Sequence, residues 1–302
     1  MNWWKSLKGR VRLDEPLEGR TTFKIGGPAK LFIEPKDIGD LKFLFKVIKK
    51  YRIPLYVIGK GSNILVGDRG VDGVVLRLSA PYFKGLSRRG NRLKVGSGVL
   101  LSKVVLFTEK LSLSGAEFLA GIPGTVGGAL AMNAGVSEKN KGRNSEFRSI
   151  SELIDDVTVM DDAGNIKTLR KKDIKFAYRQ SSLAKYIILS MHIRLVKGAK
   201  GVVRGKIKKY INYRKATQDL LRPSAGCVFK NPKGYSAGRL IDSCGLKNKV
   251  IRGACISSKH ANFILNLGKG KAKDVLELMA LIKRRVKNRF NITLKPEIKI
   301  WQ

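Results

Sequence analysis

The chain has few cysteines, few histidines and no long apolar run, and each shortage excludes a class of protein. Its three cysteines, Cys227, Cys244 and Cys255, show neither an even count nor C-x-x-C spacing, so neither a disulfide framework nor a zinc site is predicted. No stretch approaches the roughly 20 apolar residues of a membrane span, and residues 1–12 lack the apolar core of a signal peptide. We therefore expect a cytoplasmic protein without a membrane span and without a metal site.

Acidic residues are also scarce, since 23 of them face 61 lysines and arginines and leave a formal net charge of +38. A field of this strength attracts polyanions, so a binder of nucleic acid or of an anionic surface has to be considered. The basic residues are nevertheless spread along the chain, without a basic tail or a helix-turn-helix, zinc-finger or RNP-like motif. We expect the charge to steer anionic small ligands, and we do not expect nucleic acid to be the partner.

What the sequence does contain is a hydrophobic content of 43%, arranged in helix and strand periods that predict a fully folded chain. We divide it into three consecutive domains. The first, residues 1–79, alternates strands with a helix capped by Asp37. The second, residues 80–197, becomes rich in strands after a helix and a glycine-dense segment. The third, residues 198–302, carries two amphipathic helices and ends in a predicted strand at 292–300.

Two glycine-rich segments are typical of backbone cradles for a diphosphate, because a chain of glycines can approach phosphate oxygens closely. The first follows a predicted strand and comprises Gly59, Lys60, Gly61, Ser62 and Asn63. It starts like the G-x-G-x-x-G loop of a Rossmann fold, but Ile64 takes the sixth position and no long helix follows, which excludes that fold. The second comprises Gly121, Ile122, Gly124, Thr125 and Gly127, at the start of a predicted helix. Either segment alone could be a turn or a place of tight helix packing, whereas two of them suggest one long ligand with a diphosphate.

Three further segments carry reactive side chains. They contain Tyr178 and Arg179, then Cys227 with Lys230 and Asn231, and finally Glu297. Taken singly, an arginine on a strand, a small buried thiol and a glutamate in a C-terminal strand are more often structural than catalytic. Their combination and their order along the chain are what suggest a function.

These segments, in this order, resemble the UDP-N-acetylenolpyruvoylglucosamine reductase (MurB) family over nearly the whole chain. Other matching stretches are residues 22–29, 133–135, 259–264 and 296–297. The resemblance implies an α+β protein, in which a two-part FAD-binding fold of the vanillyl-alcohol-oxidase (PCMH) type precedes a C-terminal α/β substrate-binding domain. The first and second domains would then be the two FAD-binding subdomains. Because Tyr178 and Arg179 run on to a strand by residue 187, the chain resembles the branch of the family without an extra tyrosine-bearing loop.

The chemistry implied by the resemblance is a reduction. In such enzymes NADPH reduces FAD, and hydride then passes to UDP-N-acetylglucosamine enolpyruvate to give UDP-N-acetylmuramate, a precursor of peptidoglycan. The resemblance implies that FAD contacts both glycine segments and that no obligatory protein partner is needed. Carried onto this sequence, it makes Arg179 the cation that stabilises developing negative charge, Cys227 the proton donor and Glu297 its counterpart. The substrate-binding residues would be Tyr178, Arg214, Lys230 and Asn231.

The chain departs from the family pattern at three places. Cys227 stands where serine is common, but a free thiol has a pKa of about 8.5 and can serve as the acid at neutral pH. Asp219 stands where relatives often have proline. Residues 137–149 are polar and basic where relatives usually have a shorter turn, and we expect them to form a mobile loop.

Two other functions remain open at this point. One is a different FAD-linked oxidase or dehydrogenase with a changed substrate, and the segments around Cys227 and Glu297 argue against it because a flavin oxidase needs no such pair of acids. The other is a basic, non-enzymatic binder of nucleic acid or anionic surfaces built on a decayed flavoprotein. Bound yellow flavin in the purified protein would exclude it.

Overall fold

The computed structural model describes residues 2–138 and 146–302 and shows a mixed α and β protein. The α-helices of the described residues are α1 Ile38–Tyr51, α2 Leu101–Lys110, α3 Val126–Ala131, α4 Lys200–Thr217, α5 Ala237–Ser243 and α6 Ala272–Phe290. The strands, in chain order, are β1 Arg10–Pro16, β2 Pro28–Glu34, β3 Leu55–Val57, β4 Ile64–Val66, β5 Val71–Leu76, β6 Leu86–Arg89, β7 Arg92–Gly96, β8 Leu113–Ser114, β9 Gly135–Glu138, β10 Glu146–Ser149, β11 Ile154–Met160, β12 Ile166–Arg170, β13 Phe176–Ala177, β14 Gln180–Ser181, β15 Ile187–Arg194, β16 Val196–Lys197, β17 Val250–Ile251, β18 Ala254–Ile256, β19 Ile264–Asn266 and β20 Lys299–Trp301.

The chain divides into two compact units, and both are discontinuous in sequence. The first unit comprises residues 1–12, 32–59 and 74–213, and the second comprises residues 13–31, 60–73 and 214–302. The division differs from the three consecutive domains predicted from the sequence, because stretches from the N-terminal third pack with the C-terminal third. Periodicity identifies elements and gives no information on such long-range packing. The functional division at residues 79 and 197 stays a prediction.

The first unit is built on an antiparallel sheet with the strand order β12-β11-β15-β7-β6. Val157 of β11 lies opposite Met191 of β15, which in turn lies opposite Val95 of β7, and all three side chains are fully buried. Their face of the sheet joins the same apolar core as α2 and α3. The alternation of buried and polar residues predicted for these strands is therefore what fixes their register.

The second unit combines a small antiparallel sheet, of strand order β17-β18-β19, with α5 and α6. One stripe of α6, with Val275, Leu278, Ile282 and Val286 among its residues, is buried in the core of this unit, and its lysines and arginines lie on the outer face. Asp68 accepts hydrogen bonds from the Ala272 and Lys273 amides, at 2.7 and 3.1 Å, and so satisfies the start of α6. The parallel pair of β20 and β4 completes the unit.

Two predicted elements were wrong in extent. The closing strand expected at 292–300 is limited to Lys299–Trp301, with Pro296 in an isolated bridge to Phe229. The loop expected at 137–149 begins and ends in β-structure, because β9 pairs with β10 in an antiparallel register. Its residues 139–145 lie outside the described part of the chain. Basic composition gives no information on whether the ends of such a segment pair with each other.

Helix α1 shows how local sequence positions the N-terminal residues of the first unit. Asp37 caps the helix by accepting the Asp40 amide at 3.1 Å, as predicted, and Arg52 ends it in a left-handed conformation. The buried carboxylate of Asp40 accepts the amides of Lys8, Gly9 and Lys36 at 2.7–3.0 Å. Burial alone would raise the pKa of Asp40, but these hydrogen bonds outweigh it and hold the pKa below its ordinary value.

We expect Asp40→Asn to lower the free energy of unfolding at pH 7 by about 1–3 kcal/mol, because an NH₂ group would then face backbone N–H donors. A carboxylate whose pKa is lowered in the folded state stabilises the protein above its unfolded pKa and loses that effect as the pH falls through the folded pKa. The difference in free energy of unfolding between wild type and variant, measured by urea unfolding, should therefore become smaller from pH 7 to pH 3. Asp162→Asn, on an exposed turn of the same unit, is the control; a difference that does not depend on pH would contradict this account.

Candidate functional site

The second glycine segment forms the approach to α3 in the first unit. Thr125 is the N-cap residue, and its Oγ1 accepts the Gly128 amide at 3.4 Å. The amide of Gly127 donates to the Ser97 carbonyl at 2.8 Å, and that of Ile122 donates to the Leu119 carbonyl at 3.1 Å. The amides of Gly127 and Ile122, two of the predicted cofactor-binding residues, are therefore not available to a ligand. The predicted cradle is not a continuous row of open N–H groups.

The remaining predicted residues of this segment keep the features of a cradle. Gly121 and Gly124 have φ values of +76° and +156°, which side chains adopt only with strain. Within the described residues 2–138 and 146–302, the amides of Gly121, Gly124 and Thr125 face no backbone acceptor. Their N–H groups are the ones that phosphate oxygens could accept from.

Gly59, from the first glycine segment, meets the second segment inside the first unit. A Cβ atom at Gly59 would lie 2.4 Å from Thr125 Oγ1, so a larger residue at this position would force the Thr125 side chain to move. The sequence suggested that the two segments serve one ligand, and this contact brings them together at one point. Nearby, Ser97 lies against Gly127, where an added Cβ would be 3.1 Å from the Ser97 Cβ.

The hydroxyl of Ser97 is buried and has no hydrogen-bond partner among the described residues. A buried orphan hydroxyl is costly and is expected where a ligand or an ordered water supplies the partner. This hydroxyl, the steric fit of Gly59 and the positive φ of Gly121 and Gly124 fit a diphosphate-bearing group, whose contact with these residues stays a prediction. Ser97 was not predicted, because a serine after a strand carries no signal in a single sequence.

Residues 60–63 of the first glycine segment belong to the second unit. Gly61 has a φ of +67°, and a Cβ there would lie 2.4 Å from the Arg20 carbonyl oxygen. Asn63 donates from Nδ2 to the Glu297 carbonyl at 3.2 Å, so its side chain holds the chain at Glu297. Lys60 is exposed and Ser62 is half-buried. Contact of all four residues with a cofactor stays a prediction.

Cys227 and Glu297 lie on neighbouring segments of the second unit, although 70 positions separate them in the numbering. The Glu297 amide donates to the Val228 carbonyl at 2.7 Å, and the Lys230 amide donates to the Lys295 carbonyl at 2.9 Å. Both Cys227 and Glu297 are half-buried. The second unit by itself therefore places the segments that carry two of the three predicted catalytic residues side by side.

Arg179 occupies the turn between β13 and β14 in the first unit. It adopts a left-handed conformation with a φ of +57°, which is uncommon for arginine. Its Nη1 donates to the Gly135 carbonyl at 3.0 Å, and its guanidinium lies 5.2 Å from the Tyr178 ring and 5.4 Å from the Phe147 ring. These contacts hold the side chain in place. The convergence of Arg179 with Cys227 and Glu297 stays a prediction.

Asn133 supports the Arg179 turn and was not assigned a role from the sequence. Its Nδ2 donates to the Ala177 carbonyl at 3.1 Å, and its own φ is +43°. Like the Ser97 hydroxyl, the Oδ1 of Asn133 is buried and has no hydrogen-bond partner among the described residues. Asparagine tolerates the left-handed region better than most residues, which explains its presence at the end of α3.

The predicted substrate-binding residues differ in how they are held. Tyr178 is exposed, Lys230 is half-buried, and Arg214 is half-buried in the last turn of α4. Asn231 uses its Oδ1 to accept the Ala237 amide at the start of α5, at 3.0 Å. Its Nδ2 is therefore the group with which it could bind a substrate oxygen.

Comparison with known families gives two matches, and together they cover most of the chain. The FAD binding domain family matches residues 29–170, and the C-terminal domain family of UDP-N-acetylenolpyruvoylglucosamine reductase matches residues 216–301. The reductase of Clostridium beijerinckii is 38% identical over 97% of this chain and 94% of its own length. The reductase of Clostridium novyi is 39% identical over 97% of this chain and 92% of its own.

This chain belongs to the UDP-N-acetylenolpyruvoylglucosamine reductase family. The crystal structure of the Thermus caldophilus MurB agrees, with a TM-score of 0.80 and 35% identity over 98% of this chain and all of that chain. The family membership confirms the resemblance, the predicted α+β FAD-binding fold and the assignment as a flavin-dependent oxidoreductase. MurB proteins are reductases, so the alternative of a non-enzymatic binder is not supported.

The described residues, 2–138 and 146–302, contain neither a candidate metal cluster nor a candidate membrane span. No cluster of three or more histidine, cysteine, aspartate or glutamate side chains there could bind a metal ion. Across the same ranges, no helix combines the length and apolar character that crossing a membrane requires.

We expect Gly59→Ala to reduce the amount of flavin that purifies with the protein, because the new methyl group would displace Thr125 and with it the start of α3. The absorbance ratio at flavin and protein wavelengths measures this directly. Gly85→Ala is the matched control, since a Cβ at Gly85 meets no atom within 4 Å. Normal flavin content in Gly59→Ala would show that this contact is not part of the cradle.

Proposed function

We propose that this protein catalyses the NADPH- and FAD-dependent reduction of UDP-N-acetylglucosamine enolpyruvate to UDP-N-acetylmuramate, a step in peptidoglycan precursor synthesis. Membership of the MurB family supports the reaction class and the substrate. The observation that carries the residue assignment is the pairing of the Cys227 and Glu297 segments. We place the enzyme in the cytoplasm and expect it to act without an obligatory protein partner.

The cofactor would be held by the two glycine segments, with Gly121, Gly124 and Thr125 donating their amides to its diphosphate. When bound, FAD supplies the transfer of hydride from NADPH to the substrate. The residues of this chain do the rest of the work, which is to bind the anionic sugar nucleotide, stabilise charge and deliver a proton. The high positive charge of the protein favours the approach of both anionic substrates.

Arg179 is the proposed electrostatic catalyst. Addition of hydride to an enolpyruvyl group builds negative charge towards its carboxylate, and a fixed guanidinium stabilises that charge without reorganisation. The hydrogen bond to Gly135 and the two aromatic contacts fix the guanidinium before substrate binds.

Cys227 is the proposed proton donor, and Glu297 is its counterpart. A thiol that stays protonated at neutral pH can deliver its proton to the carbon next to the substrate carboxylate. Glu297 lies on the neighbouring segment and would orient substrate or exchange protons through water. We assign no role to Cys244, the C-cap residue of α5, or to Cys255 in β18, since burial raises the pKa of both thiols and so makes them weaker acids.

We expect Cys227→Ala to slow the oxidation of reduced flavin by the enolpyruvyl sugar by about 10²–10⁴-fold, the usual contribution of a general acid. Reduction of the flavin by NADPH should stay within about twofold of wild type, since no acid is needed there. Stopped-flow absorbance of the flavin separates the two half-reactions. Cys227→Ser should retain activity and Cys244→Ala should resemble wild type.

Three results would remove Cys227 from this role. They are an equal loss in both half-reactions of Cys227→Ala, a normal second half-reaction in that variant, and a well-folded Cys227→Ser variant without activity. The proposed substrate is wrong if NADPH bleaches the flavin absorbance of the wild-type protein and UDP-N-acetylglucosamine enolpyruvate does not restore it.

A further inference from the structure

The segment that carries Cys227 is held on its second side by residues 261–263. Cys227 lies opposite Phe263 in an isolated antiparallel bridge, and the Val228 amide donates to the Asn262 carbonyl at 2.9 Å. Since the Val228 carbonyl accepts the Glu297 amide, the peptide groups beside Cys227 are bonded in both directions. The segment is therefore the middle one of three.

The side chain of Asn262 adds two hydrogen bonds to the next residue of that segment. Its Oδ1 accepts the Phe229 amide at 2.9 Å, and its Nδ2 donates to the Phe229 carbonyl at 2.8 Å. Asn262 is only 2% exposed and Phe229 is fully buried, so no solvent is available to either peptide group. The side chain thus supplies the pair of bonds that a regular strand partner would give.

An asparagine is required for this pairing by its chemistry. One terminal atom must accept and the other must donate, because they face an N–H and a C=O of the same residue. Aspartate keeps the size of the side chain, but its ionised form offers two acceptors, and one of them would face the Phe229 carbonyl. The buried Phe229 carbonyl would then lack a donor and face a negatively charged oxygen. We expect the segment that carries Cys227 to move in order to relieve this unfavourable contact.

We propose that Asn262 is a positioning residue for the reduction, which fixes the Cys227 segment through Phe229 so that the thiol stays in place beside the Glu297 segment. The inference rests on the proposed function of Cys227. The two hydrogen bonds of the Asn262 side chain both go to backbone groups of Phe229, so Asn262 acts through the backbone of the segment. Its loss would displace the thiol without removing it, and displacement by about 1 Å is enough to slow a positioned reaction by about 100-fold.

The chain offers a matched control in Asn266. It is also 2% exposed and lies in the same unit, and its side chain also bonds only backbone groups. Nδ2 of Asn266 donates to the carbonyls of Phe23 and Lys24, and Oδ1 accepts the amides of Gly268 and Gly270. Asn266→Asp therefore makes the same chemical change at equal burial, at a side chain whose hydrogen bonds go to residues 23, 24, 268 and 270 and not to residues 227–230.

The experiment compares Asn262→Asp with Asn266→Asp by two readouts. The first is the rate at which iodoacetamide labels each cysteine, resolved by peptide mass spectrometry, with Cys244, the C-cap residue of α5, as the internal reference. The second is the pair of flavin half-reactions. In Asn262→Asp we expect the labelling of Cys227 relative to Cys244 to change by at least about threefold. The substrate half-reaction should slow by at least about tenfold while the NADPH half-reaction stays within about twofold.

Asn266→Asp should lower the thermal unfolding temperature without changing the relative labelling of Cys227 or the ratio of the two half-reactions. The proposal is overturned if Asn262→Asp gives the same pattern, or if all its thiols become more reactive together. If Cys227→Ala has a normal substrate half-reaction, the proposed function of Cys227 fails. The labelling result then still decides whether Asn262 fixes the thiol.

Should Asn262→Asp fail to fold, amide hydrogen exchange of the wild-type holoenzyme tests the same point. The Phe229 amide, bonded to the Asn262 side chain, should be protected to within about tenfold of the Val228 amide, bonded to the Asn262 backbone. Exchange of the Phe229 amide at the rate of an exposed turn would overturn the proposal.

Discussion

The hydrogen bonds that hold residues 227–230 between two neighbouring segments are the interaction on which the proposed chemistry depends. On one side the Val228 carbonyl accepts the Glu297 amide at 2.7 Å, and on the other the Val228 amide donates to the Asn262 carbonyl at 2.9 Å. A thiol on a free loop would sample many positions, and the entropy of ordering it would add to the barrier of the proton transfer. Here that ordering is achieved when the second unit folds.

A second constraint operates in the first unit, where Gly59 lies so close to Thr125 that a larger residue would displace the Thr125 side chain. The 2.4 Å approach of a Cβ at Gly59 to Thr125 Oγ1 explains why a glycine follows the strand, and Thr125 in turn caps α3. The buried hydroxyl of Ser97 and the buried Oδ1 of Asn133, both without partners among the described residues, lie on the elements around α3. Buried polar atoms without a hydrogen-bond partner lower the stability of the folded protein. A bound cofactor could supply the missing partners, so the same residues would favour its binding.

Much of the fold could be predicted from the sequence, because strand and helix periods, the Asp37 cap and the glycine segments are local signals. The contacts that could not be predicted join residues that lie far apart in the sequence. Nothing local indicates that residues 13–31 and 60–73 pack with residues 214–302, that the Gly127 amide is already bonded, or that Asn262 bonds Phe229. The pairing of Cys227 with Glu297 followed only from family resemblance, since their separation in sequence exceeds the reach of any motif.

The central claim, that Cys227 delivers the proton, is tested most directly by the pH dependence of the substrate half-reaction in wild type and in Cys227→Ser. A thiol can donate only while it is protonated, so the wild-type rate should fall at alkaline pH as the thiol ionises, whereas an alcohol stays protonated over the same range. The account predicts an alkaline fall in the wild type that is absent from Cys227→Ser. The same alkaline fall in both proteins would contradict it, because the titrating acid would then lie elsewhere.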